Sequence, residues 1–132
     1  MGLSQVAEIQ GQLESILSSL GLTTGTVAAR LDALGKQPGA IYPNTDAGRA
    51  ELLAALNGQI KALEPQLPRW FGTLPRAPVE VRAVPTFIQD GAPNGYYNRA
   101  ALDGSRPAIY YINLKDTAEW PKFGLPTLTY HE

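Results

Sequence analysis

The chain has no cysteine. That removes disulfides, thiolate metal sites and cysteine nucleophiles together. Its single histidine, His131, is the whole imidazole supply, so a three-histidine zinc site cannot form within one copy. Charge is sparse: 17% of residues, against ~25% in an ordinary soluble domain. Eleven Lys and Arg face twelve Asp and Glu, for a net charge of -1, and neither half is strongly skewed. Capture of nucleic acid or an anionic membrane needs a clustered positive face and is disfavoured. Apolar runs fall short of the ~18–20 residues of a membrane span, and the opening MGLSQVAEIQ lacks the basic region and apolar stretch of a signal peptide. Neither G-x-G-x-x-G nor G-x-x-x-x-G-K-[ST] occurs, so a phosphate-binding loop has no support. None of Ser4, Ser15, Ser18, Ser19 and Ser105 sits in a G-x-S-x-G elbow.

What is present suffices for one core: 132 residues, 44% of them hydrophobic. Val6, Ile9, Leu13, Ile16, Leu17 and Leu20 recur at three- and four-residue spacing and predict a helix over about 5–20 with these residues on one stripe and Gly21 as the left-handed stop. A shorter helix reads over 26–34, with Val27, Leu31 and Leu34 on one side. The next connection is extended, because it holds Pro38, Gly39 and Pro43. Thr45 or Asn44 then caps a third helix over 46–64, whose stripe is Leu53, Leu56, Ile60 and Leu63. Beyond Pro78 the period changes from near 3.6 to 2. Strands are expected over about 79–84, 95–100 and 108–114, separated by Asn94-Gly95 and Asp103-Gly104 turns. The economical reading is a small antiparallel β-meander after the helices, an α+β chain with a helical part over 1–66 and a β-part over 76–132. Residues 125–132 look like the opening of one further, truncated helix.

Two groups carry candidate chemistry. Tyr97, Tyr111 and Asn113 belong to a Tyr- and Asn-rich set that could line a substrate or peptide groove, because an edge strand pairs readily with an extended backbone. Tyrosine also suits any half-buried pleated surface. His131-Glu132 has the residue types of a metal-dependent hydrolase, in which an imidazole holds the metal and a neighbouring carboxylate on the same helix takes a proton from metal-bound water.

Longer runs weigh in favour of the second group. Gly95-Tyr96-Tyr97, the stretch 102–121 (LDGSRPAIYYINLKDTAEWP) and Leu125-Pro126-Thr127-Leu128-Thr129-Tyr130-His131-Glu132 closely resemble the bacterial domain-of-unknown-function 885 family (DUF885). Upstream, Gly25-Thr26-Val27, Leu34-Gly35, Tyr42-Pro43-Asn44-Thr45-Asp46-Ala47-Gly48-Arg49 and 74–81 resemble it in the same order. The resemblance implies a bacterial, often exported or lipoprotein-like protein that is much longer and largely helical. In such proteins the final motif continues as H-E-A-x-P-G-H-H. It further implies zinc as cofactor of the whole protein, His131 as first metal ligand, Glu132 as general base and a peptide as substrate. On this reading the chain is a single partial domain, an internal fragment that binds no cofactor and does not turn over by itself. Surface left uncovered would drive self-association into a homodimer or higher oligomer. The alternative is a non-catalytic binding or assembly module that uses the Tyr-rich strand edge.

Overall fold

The structure, a computed structural model, describes residues 2–131, which divide into two compact units at Ile41/Tyr42. The first unit is a helical hairpin of α1 (Gly2–Ser19) and α2 (Val27–Gly35). Gly21, at φ +79°, stops α1, and the Leu22 N–H donates back to the Leu17 carbonyl at 2.9 Å, so the orphan carbonyls of the last turn are satisfied. Thr26 caps α2 by accepting from the Ala29 N–H at 3.2 Å. Arg30 is buried; its guanidinium donates to the Leu22 carbonyl at 3.2 Å and pairs with Glu14 of α1. The stripe predicted for α1 is buried only at its end. Leu17 is 1% exposed, but Val6, Ile9, Ile16 and Leu20 remain at least half exposed. For Val6 and Ile9 the reason is length: nine residues of α2 span ~13 Å and cannot line the ~27 Å of α1.

The second unit carries α3 (Asp46–Leu63), β1 (Val79–Ala83), β2 (Gly95–Asn98), β3 (Ala108–Ile112) and α4 (Leu125–His131). Thr45 caps α3 by accepting from the Gly48 N–H at 3.2 Å. The α+β class and the three strands stand close to their predicted ranges. Their pairing corrects the meander: the sheet order is β1-β3-β2, β1 runs parallel to β3, and only β2 is antiparallel to it. Burial explains the order. β3 is apolar on both faces and takes the centre, with Ala108, Ile109, Tyr110 and Ile112 all buried. The 84–94 segment, which holds Pro85, Pro93 and a single 3-10 turn at Thr86–Ile88, crosses past the end of β3 to reach its far side. Prolines at 65 and 68 likewise turn the chain leaving α3 into a 3-10 segment, Glu64–Arg69.

The core of this unit joins Leu52 and Leu56 of α3 to Val81, Tyr110, Ile112, Leu114, Trp120 and Leu125. Each fully buried leucine contributes about 1.5–3 kcal/mol relative to exposure. Trp120 closes the core without stranding its ring nitrogen, which donates to the Asn113 carbonyl at 2.7 Å.

Candidate functional site

α4 has seven residues, fewer than an isolated helix needs to offset nucleation, so its position rests on packing against α3. Leu125 and Thr129, four apart, form its buried side; the Thr129 hydroxyl donates to the Leu125 carbonyl at 2.8 Å. Pro126 occupies an early helical position where no N–H is required, and its carbonyl accepts from the Gln59 side-chain amide at 3.4 Å. With that side fixed inward, Tyr130 and His131 stand exposed at the helix end. Glu132 lies outside the described residues. Beside α4 runs a mainly apolar groove of about 540 Å³, walled by Leu63, Leu67, Phe71, Val79 and Tyr130, with Glu64 and Arg76 as its charged members. Among the described residues no three His, Cys, Asp or Glu side chains stand together as a metal-binding group. His131, the one imidazole of the chain, can supply one donor.

The tyrosine group is distributed by the pleat. Tyr96 faces Tyr111 across the β2–β3 pair and their rings stack at 5.0 Å with 24° between planes, whereas Tyr97 lies opposite Tyr110 on the other face of the sheet. Tyr97 and Tyr111 thus do not share a surface. Asn113, just beyond β3, is buried and its amide is engaged internally. It donates to the Gln89 and Ala92 carbonyls at 2.8 and 3.4 Å and accepts from the Lys115 N–H at 3.1 Å. It moors the crossing segment to the end of the sheet. Lys115 adds an ion pair to Asp90 of that segment at 2.6 Å. Hydrogen bonding and charge from Lys115 hold the Asp90 carboxyl below its ordinary range, and Asp90 holds the Lys115 ammonium above its own.

Sequence reasoning passed over Asn57. Its side-chain oxygen accepts from the Val81 N–H and its side-chain nitrogen donates to the Val81 carbonyl, both at 3.0 Å, so one amide pairs with the outer edge of β1 as a strand would. The signal was a polar residue set into the apolar stripe of α3, between Leu53 and Ile60.

The sequence matches the profile of a family described as "Bacterial protein of unknown function (DUF885)" over residues 1–132. The chain belongs to the DUF885 family. A solved structure, that of "the putative lipoprotein from Colwellia psychrerythraea", is similar to this DUF885 chain with a TM-score of 0.91 and 48% sequence identity, and the match covers 100% of this chain. It covers 23% of that one, so the present DUF885 sequence spans about a quarter of the length of its solved relative. No curated protein matches.

Proposed function

We propose that this DUF885 segment is one part of a metal-dependent hydrolase, in which His131 supplies one ligand and Glu132 the general base. The remaining ligands come from outside these 132 residues. The observation that carries the reading is the placement of the sole imidazole: it stands exposed at the end of a short helix that packs against α3 and buries Leu125 and Thr129 on its opposite side. A ligand on such a helix is oriented by packing, which is what metal affinity and proton transfer both require of their residues. The metal, when bound, would supply Lewis-acid activation of water. The 540 Å³ apolar groove beside Tyr130 would receive part of a peptide substrate.

The test is a full-length family protein containing this segment, assayed for hydrolysis of a mixed peptide pool. Glu132→Gln should retain the fold and lose about 100-fold or more in turnover, the usual effect of removing a general base. Wild-type turnover in that variant would remove Glu132 from its role.

A further inference from the structure

The hydrogen-bond register of the sheet fixes which backbone groups are spent and which are left. The Asn113 N–H donates to the Asn94 carbonyl at 2.7 Å, and those two residues continue the β2–β3 register by one step. In an antiparallel pair the bonded residues alternate, so Tyr96 with Tyr111 and Asn98 with Ile109 exchange bonds, while Gly95 and Tyr97 turn both N–H and C=O away from β3. On the other side, the Ala108 N–H donates to the Pro78 carbonyl at 3.0 Å and the Val84 N–H donates to the Ile112 carbonyl at 2.9 Å. The alternation then turns Val79, Val81 and Ala83 outward on β1. The two edges are treated differently: β1 has its central outward residue, Val81, closed by the Asn57 amide, and no hydrogen bond closes Gly95 or Tyr97 among the described residues.

Side-chain features flank the open edge. At its start an open, apolar pocket of about 600 Å³ is walled by Phe87, Ile88, Ala92, Pro93 and Tyr96, with Phe87 86% exposed. At its end stand Arg99 and Arg106; the Arg106 guanidinium donates to the Arg99 carbonyl at 2.8 Å, and neither arginine has an ion-pair partner among the described residues. Outward N–H and C=O groups two residues apart are complementary to another extended backbone, and a side chain opposite Tyr96 would share its face and enter the pocket. We propose that the β2 edge is a binding site for an extended peptide, which adds as an antiparallel fourth strand, places an apolar side chain against Phe87 and Tyr96, and sets an acidic residue opposite Arg99. Backbone pairing supplies the affinity, the pocket and the two arginines the sequence preference. This site goes beyond the hydrolase reading and does not depend on His131.

The probe is acetyl-Glu-Thr-Val-Phe-Thr-amide, whose valine would pair with Tyr97 and whose phenylalanine would lie opposite Tyr96. It is titrated into the 132-residue chain with backbone amide shifts as the readout. Saturable shifts at Gly95 and Tyr97 are expected. A peptide N-methylated at its valine should bind about tenfold more weakly, because the donor to the Tyr97 carbonyl is gone. Tyr97→Pro should abolish binding, since it removes an N–H that faces outward, where an edge strand tolerates proline. Tyr97→Phe and His131→Ala should bind as wild type does, and Phe87→Ala should weaken binding several-fold. Equal affinity for the N-methylated peptide overturns the proposal, and so does the lack of saturation at about 5 mM. A β2-mediated dimer, seen by light scattering and dissociated by Tyr97→Pro, also overturns it by making a second copy the occupant.

Discussion

Asn57 shows how much one side chain decides in this fold. Its amide makes both bonds to Val81 and a third to the Leu53 carbonyl at 3.0 Å. Asn57→Ala leaves a part-buried N–H and C=O without partners and should cost about 1–3 kcal/mol in denaturant unfolding. Thr117 is the converse. It is fully buried and its hydroxyl has no hydrogen-bond partner among the described residues, so Thr117→Val, which keeps the shape, should raise stability by ~1 kcal/mol. The Asp90–Lys115 pair is exposed, and its signature is a titration. A depressed carboxyl pKa means a contribution present above the ordinary carboxylate value of 3.8 and lost as pH falls through the lower folded value. A raised ammonium pKa means one present below 10.5 and lost as pH rises through the higher folded value. The pair therefore holds across the neutral range, and salt weakens it. NMR titration should find Asp90 below 3.8 in the native chain and back near it in Lys115→Gln.

At the scale of elements, helices were legible because their apolar period extends over many residues, and α1, α2 and α3 fall within three residues of the ranges read from it. Strand positions were legible from the change of period at Pro78. Strand order was not: a five-residue strand carries no mark of its neighbour, and the chain direction is set by a proline-bent crossing tied down by Asn113, Lys115 and the Val84–Ile112 backbone bond. His131 was named and its helix end found, whereas Tyr97, Tyr111 and Asn113, adjacent in composition, were separated by the pleat and by internal hydrogen bonding. The junction into α3 combines several devices. Gly48 lies under Pro43, so that a Cβ there would press into the Pro43 carbonyl, whose carbon it would approach to 2.9 Å. The next residue, Arg49, donates to the Asn44 and Asp46 side chains at 2.7 and 3.2 Å and to the Leu114 carbonyl at 2.9 Å, tying the helix start to the chain beyond β3. Gly48→Ala should cost about 1–3 kcal/mol by overpacking, read as a lower unfolding midpoint with unchanged m.

Over the whole molecule, the exposed large apolar residues Leu3, Val6, Ile9 and Ile16 on α1, Leu20 just after it, and Trp70 and Phe71 after α3, exceed what scattered surface hydrophobes account for. Self-association of the isolated chain is the expected outcome, with a light-scattering mass that rises with concentration and falls in Val6→Asp/Ile16→Asp; a monomer at all concentrations would contradict it. The hydrolase reading is decided elsewhere, by whether the imidazole of this segment helps to hold a metal in the full-length protein. Elemental analysis of a full-length family protein containing the segment measures that directly. About one equivalent of metal in the wild type and its loss in His131→Ala, with the helical signal unchanged, is the predicted result. Undiminished metal content in His131→Ala would contradict the account.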